Sequence, residues 1–142
     1  MITDKIRLRP RYGEVDQMGY VYHANHVSYC HQARTELMRK LGVNDNALEA
    51  IGIMLPVVSF NINYKNPARY DELLTIKTTI KEMPEVVFNF EFEITNEHGK
   101  PVSFASSTIC FVDSKTRYPM EVPEFITNAL LESFKNGVDL SA

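Results

Sequence analysis

Strict alternation of apolar and polar side chains is the feature that most constrains the fold of this chain. It occurs in VSFNINYK (residues 58–65), LTIKTTIK (residues 74–81) and FNFEFEIT (residues 88–95). A period of two residues predicts strands with one buried face and one solvent-exposed face. PVSFASSTICFV (residues 101–112) is apolar on both sides near its end, which is typical of a central strand. Short connections favour antiparallel pairing of these four strands.

Two segments show the three- and four-residue apolar spacing of amphipathic helices. The longer helix is predicted at about residues 25–41, where Asn25 can cap the start and Gly42 fits the stop. A short C-terminal helix is predicted at residues 123–134, with Pro123 in its first turn.

A further strand is predicted at about residues 5–12, before the long helix. One long central helix and a curved antiparallel sheet of about five strands can bury each other's apolar faces, so we predict an α+β fold with the sheet wrapped around the helix. The length of 142 residues suits one domain spanning residues 1–142.

Charge and hydropathy exclude several partners. The net charge is −3, and the fifteen Lys and Arg residues are spread along the chain without a dense block, so we expect no nucleic-acid partner. No apolar run approaches the roughly 18 residues that span a bilayer, and the N-terminus lacks a signal core, so we expect a cytoplasmic protein without a membrane partner. Cys30 and Cys110 are far apart and predict neither a disulfide framework nor a thiolate zinc site.

The segment YGEVDQMGYVYHANHVSYCHQARTELMRKLG (residues 12–42) carries the most specific motif of the chain. Its distinctive members are an acidic residue, a glycine, a Val-Tyr-His triplet, an asparagine and an Ala-Arg-Thr-Glu quartet: Asp16, Gly19, residues 21–23, Asn25 and residues 33–36. On these residues the chain resembles the hotdog-fold acyl-CoA thioesterases, in the 4-hydroxybenzoyl-CoA thioesterase-like branch that includes the YbgC-type bacterial proteins. A weaker likeness extends over about residues 5–118.

The resemblance implies a hotdog fold, a homodimer or homotetramer, and an active site at the dimer interface that hydrolyses an acyl-CoA without metal or organic cofactor. It also implies that the acid at position 16 is the catalytic carboxylate and that the backbone N–H of His23 polarises the thioester. The chemistry agrees, because thioester hydrolysis needs a carboxylate near the carbonyl carbon and donors near its oxygen, and a helix N-terminus supplies donors. Asp16 is predicted to act either as general base or as nucleophile.

Substrate-binding candidates fall into two groups. Four residues near the helix start are candidates for the acyl side of the site: Gly19, Tyr22, Asn25 and Tyr29. A tight turn at the glycine, a helix cap at the asparagine and simple core packing of the tyrosines are the alternative interpretations. Three cations are candidates for the coenzyme A phosphates, with solvated strand faces as the alternative: Lys65, Arg69 and Lys77.

Two other interpretations of the histidines are weaker. His26 and His31 diverge by about 140° on a helix, so the three histidines of the segment are not predicted to bind a metal. A hotdog dehydratase would need His23 close to Glu36, but thirteen helical residues separate them by about 20 Å.

Arg34 and Glu36 receive no chemical role, since Glu36 can pair with Arg39 or Lys40. A non-catalytic acyl-CoA-binding module remains the alternative to the hydrolase.

Overall fold

The computed structural model describes residues 1–141 as a six-stranded sheet packed on one long helix. The elements, in chain order, are β1 (Ile2–Leu8), a 3₁₀ turn (Tyr12–Glu14), α1 (His23–Lys40), α2 (Asp45–Ala50), β2 (Ile53–Met54), β3 (Val57–Tyr64), β4 (Leu74–Ile80), β5 (Val87–Thr95), β6 (Pro101–Cys110), β7 (Val112–Asp113), α3 (Glu124–Asn136) and β8 (Val138–Asp139). None of the described helices is long and apolar enough to cross a bilayer.

The main sheet has the strand order β3-β6-β5-β4-β1-β8, and β2 pairs with β7 in a separate two-stranded sheet. All neighbours in the main sheet are antiparallel except β1 and β8, which pair in parallel through two residues each. The four long antiparallel strands that the alternation predicted are confirmed, and so is the long helix predicted from three- and four-residue spacing. Strand β6 lies inside the sheet, between β3 and β5, as its apolar end predicted.

Burial follows the predicted faces in the inner strands. Every second side chain of β4 and β5 is buried, including Ile76, Phe88 and Phe90. The helix contributes Leu37 and Met38, and both are fully buried. Strand β3 differs, because it is an edge strand and its core-facing residues are only half-buried at most.

The predicted start of α1 and its predicted cap are wrong. The helix begins at His23, two residues earlier than expected, and Tyr22 is the residue at the N-cap position. Asn25 lies inside the first turn, where its side-chain Nδ2 donates to the carbonyl oxygen of Glu14 at 3.0 Å. The stop is confirmed, since Gly42 follows the helix with φ +78° and its N–H donates to Arg39 at 3.0 Å.

Two other boundaries differ from the predictions. Strand β1 covers Ile2–Leu8 rather than residues 5–12, because Pro10 lacks the N–H that a continuing strand would use. The residues that follow fold into the 3₁₀ turn. The C-terminal helix begins at Glu124 and has Pro123 as its N-cap. The short elements α2, β2, β7 and β8 were not predicted, since segments of two to six residues carry too little periodicity.

Candidate active site

The loop between the 3₁₀ turn and α1 is organised by the carboxylate of Asp16. Its Oδ1 accepts hydrogen bonds from the backbone N–H groups of Met18 at 2.9 Å and Tyr20 at 3.2 Å. The N–H of Gly19 donates to the Asp16 carbonyl at 3.0 Å, and Gly19 has φ +79°, which favours glycine. Oδ1 is therefore held in place by the loop itself.

A cavity of about 380 Å³ lies beside this carboxylate. The Asp16 side chain is exposed and borders the cavity. The lining combines the loop, the first turn of α1 and the end of β3 with the residues after it: Asp16, Tyr20, Val21, His23, His26, Tyr64, Lys65, Asn66 and Pro67. Asp16 and His23, which were predicted from one motif, thus line one cavity with Lys65, which was predicted from a different segment.

The N-terminal end of α1 at this cavity has no side-chain cap. The N–H groups of His23 and Ala24 have no acceptor within residues 1–141, whereas that of Asn25 donates to Tyr22 at 2.9 Å. Free N–H groups at a helix start carry partial positive charge. The cavity is therefore bordered by a carboxylate on one side and by an uncapped helix end on the other.

Strand β3 is tied to this helix end by Tyr64. Its hydroxyl donates to the backbone carbonyl oxygen of His23 at 2.7 Å. The alternation in residues 58–65 predicts that Tyr64 shares the core-facing side of the strand with Phe60 and Ile62, but Tyr64 is 45% exposed and lines the cavity. That prediction was wrong because β3 is the edge strand of the sheet and Tyr64 is its last residue.

His26 is the buried histidine of the site. Its side chain is 3% exposed, its Nδ1 lies 3.0 Å from Ser103 Oγ, and its ring meets Tyr64 edge-on at 4.8 Å between centroids. Burial, with a smaller contribution from His23, lowers the pKa of His26 to about 4. The ring is therefore neutral at physiological pH.

This neutral ring makes stability depend on pH. The pKa of His26 is about 4 in the folded chain against an ordinary 6.5, so the unfolded chain binds more protons between these values. We expect the free energy of unfolding to fall as pH falls from 6.5 to 4, and the His26→Gln variant to lose most of that slope. Urea unfolding at a series of pH values measures it, and equal slopes in both proteins would contradict the assignment.

Glu14 joins the loop to the helix from behind the cavity. Its carboxylate accepts hydrogen bonds from the Tyr29 hydroxyl at 2.9 Å and from the Arg11 N–H at 2.8 Å. Partial burial opposes ionisation of Glu14, but these hydrogen bonds and the Arg11 guanidinium outweigh it and lower its pKa. Its backbone carbonyl accepts from Tyr22 and from the Asn25 side chain. Glu14 thus fixes the position of the loop relative to α1.

The other predicted residues do not line this cavity. Tyr22 is half-exposed at the helix start, Asn25 and Tyr29 are bound to Glu14, and Gly19 forms the turn. The guanidinium carbon of Arg69 lies 5.0 Å from the ring centroid of Tyr20, a residue of the lining.

Lys77 is not brought to this cavity. It lies on β4 in a separate cleft of about 220 Å³, together with Glu91 and Glu93 of β5. No cluster of three or more His, Cys, Asp or Glu residues suited to a metal occurs within residues 1–141.

No functional role was predicted for four residues that this region brings together: Glu14, His26, Tyr64 and Ser103. The one signal available was the presence of His26 and Tyr64 in segments already marked by the motif and its weaker continuation. Ser103 is 77 positions from His26, so only the folded chain shows that they meet.

Comparisons with known proteins point to one family. A family model described as the thioesterase-like superfamily matches residues 10–130. YneP of Bacillus subtilis is 35% identical over 122 residues, which are 85% of this chain and 88% of that protein. The acyl-CoA thioester hydrolase YbgC of Escherichia coli is 31% identical over 119 residues, 84% of this chain and 89% of its own.

Solved structures agree with the sequence comparisons. The crystal structure of a DHNA-CoA thioesterase from Staphylococcus aureus superposes with a TM-score of 0.87 at 27% identity, covering 98% of this chain and 99% of that one. Its elements therefore correspond to those described above over almost the whole chain.

Proposed function

Since the chain belongs to the thioesterase-like superfamily, we propose that it hydrolyses the thioester of a small or medium acyl-CoA to the free acid and coenzyme A. Its class is that of the acyl-CoA thioester hydrolases, which the resemblance of residues 12–42 predicted. The proposed mechanism rests on one observation. The Asp16 carboxylate and the uncapped end of α1 border the same cavity.

In the proposed reaction the thioester carbonyl oxygen lies against the N–H of His23. That donor stabilises the negative charge that forms when the carbonyl carbon is attacked. Asp16 takes a proton from the attacking water, the C–S bond breaks, and the leaving thiolate takes up the proton. Asp16 Oδ1 already accepts two hydrogen bonds, so Oδ2 is the oxygen available for this transfer.

The alternative route is attack by the Asp16 carboxylate itself, which breaks the C–S bond, releases the coenzyme A thiolate and gives an acyl-aspartyl anhydride that water then cleaves to the free acid and the Asp16 carboxylate. In the nucleophilic route the acyl group is bound covalently to Asp16 for part of each turnover, and in the general-base route it never is. A denaturing quench during turnover, followed by mass spectrometry of the peptide that contains Asp16, separates them. Acylated peptide establishes the nucleophilic route.

Cations at the cavity rim are proposed to hold the coenzyme A phosphates. Lys65 lines the cavity, and Arg69 lies beside Tyr20 at its border. Lys77 faces another cleft of the same chain, so we propose Lys65 and Arg69 ahead of it as ligands of the coenzyme A phosphates.

We expect the site to operate in a homodimer or homotetramer in the cytoplasm. Edge strand β3 pairs with β6 on one side only, and its Val57 and Val58 are 51% and 59% exposed. An exposed apolar edge strand is suited to pairing with a second strand. Sedimentation velocity tests the assembly, and a monomer at working concentration would contradict it.

Release of free thiol from a panel of acyl-CoAs, followed with a thiol reagent, tests the function. We expect saturable release for at least one chain length. Saturable binding without release would favour the non-catalytic acyl-CoA-binding module. Dehydration of a hydroxyacyl-CoA without thiol release would favour the dehydratase.

A further inference from the structure

Arg34 is a buried cation between two cavities on the far half of α1. Its side chain is 4% exposed. It lines a cavity of about 730 Å³ that also contains Asp45, Ser114 and Arg117, and a smaller cavity of about 180 Å³. Neither cavity shares a lining residue with the one beside Asp16.

The guanidinium of Arg34 lacks the partners that a buried charge requires. Within residues 1–141 its one hydrogen bond joins Nη2 to Nδ1 of His31 at 3.2 Å, and buried Nε has none. Asp45 borders the same cavity but forms no ion pair with Arg34. A buried charge without a partner is strongly destabilising, so a binding partner from outside the described chain is expected here.

His31 fixes the orientation of this guanidinium. Burial first, and then the neighbouring Arg34, lower the pKa of His31, although Asp45 opposes this. The neutral ring can therefore accept the hydrogen bond from Nη2 through its unprotonated Nδ1. Because Nη2 is held in this way, the other N–H donors of the planar Arg34 guanidinium point in a fixed direction.

One face of α1 connects Arg34 with the proposed reaction centre. His23, Val27, His31 and Arg34 follow at spacings of four, four and three residues, which places them within about 80° of arc. The Arg34 guanidinium is hydrogen-bonded to His31, eight residues beyond His23, so about 12 Å of helix separates the thioester position from the guanidinium. An extended acyl group lying along this face would start at the thioester position and end at the guanidinium.

The smaller cavity suits the middle of such a chain. Its lining is mostly apolar and comes from α1, β3, β5 and β6: Val27, His31, Arg34, Val57, Phe60, Phe92 and Ser107. Val27 lies one helical turn beyond His23, and the Arg34 side chain is the charged group at the other end. Methylene groups would therefore lie among apolar side chains before the chain reaches the cation.

We propose that Arg34 is a specificity-determining residue that selects acyl groups carrying a carboxylate at the end far from the thioester. This inference rests on the proposed hydrolase function. A carboxylate matches the fork of guanidinium donors in geometry and neutralises the buried charge, whereas a methyl end does neither.

Comparison of octanoyl-CoA with the mono-coenzyme A thioester of octanedioic acid tests the proposal. We expect the wild type to favour the carboxylated substrate in kcat/KM, and Arg34→Met to lower that preference about ten- to a hundred-fold. Turnover of octanoyl-CoA by the same variant reports that it is folded. The matched control is Arg117→Met, which removes an exposed cation from the larger cavity and should leave the ratio unchanged.

A second measurement keeps this inference separate from the proposed function. If no acyl-CoA of the panel is hydrolysed, the function is wrong, and calorimetric binding of octanedioate against octanoate then decides the role of Arg34. Preference for octanedioate that is lost in Arg34→Met, and regained in part in Arg34→Lys, supports the proposal. Equal use or equal binding of the two ligands by the wild type, or an unchanged ratio in Arg34→Met, overturns it.

Discussion

Asp16→Asn is expected to lower kcat for thioester hydrolysis by about a hundred- to ten-thousand-fold, the usual contribution of a positioned acid–base group. The loop should survive, because the asparagine carbonyl oxygen can still accept the hydrogen bonds from Met18 and Tyr20. An amide, however, cannot take the proton of the attacking water or act as a carboxylate nucleophile. Steady-state kinetics with the best substrate of the panel measures the loss, with KM expected to change little.

The control for Asp16→Asn is Glu97→Gln, which neutralises an exposed carboxylate in the turn between β5 and β6. It should keep wild-type kcat and KM. Full activity in Asp16→Asn would remove Asp16 from the mechanism. Glu36 would then be the next carboxylate to test, although its ion pair with Arg39 on α1 favours a structural role.

Phe90→Ala is expected to reduce the free energy of unfolding by about 3–5 kcal/mol, the range for truncating a buried aromatic residue. Phe90 is 1% exposed on the core face of β5, with the ring of Phe88 at 4.4 Å and that of Phe92 at 6.4 Å between centroids. Removal of the ring loses apolar burial and leaves a cavity that rigid neighbouring strands cannot fill. Urea unfolding at fixed protein concentration measures the change.

The control for this variant is Phe104→Ala on β6. Phe104 is 40% exposed and borders the shallow cleft on the outer side of the sheet. Its truncation should change the free energy of unfolding by no more than about 0.5 kcal/mol, as for other surface positions. Equal losses in both variants would mean that the two faces of the sheet are packed alike, against the observed burial.

The strands could be predicted because their physical cause is local. A two-residue period in residues 74–81 and 88–95 reflects one buried face, and that face is a property of the strand itself. The same argument failed in part for β3, where being at the edge of the sheet leaves Tyr64 45% exposed. Position within a sheet depends on the order of strands, which no single segment contains.

Part of the candidate site could be predicted from one local segment, and part of it could not. The motif around Asp16 is contiguous in sequence, so the carboxylate and the helix start could be expected to lie close together. Ser103 and the end of β3 reach the site only through strand pairing across many residues. The cap at Asn25 was predicted wrongly because α1 already begins at His23, which places Asn25 inside the first turn, where its side chain donates to the Glu14 carbonyl.

The open first turn of α1 sets a limit on how this protein can become more heat-resistant. A capping side chain at a helix start commonly contributes about 1 kcal/mol, and residue 22 is a tyrosine that provides none. In the proposed mechanism, a residue of the chain that bound those N–H groups would compete with the substrate carbonyl for them. Substitutions that raise thermal stability without loss of activity should therefore lie in the sheet or at α3, and the first turn of α1 should stay uncapped.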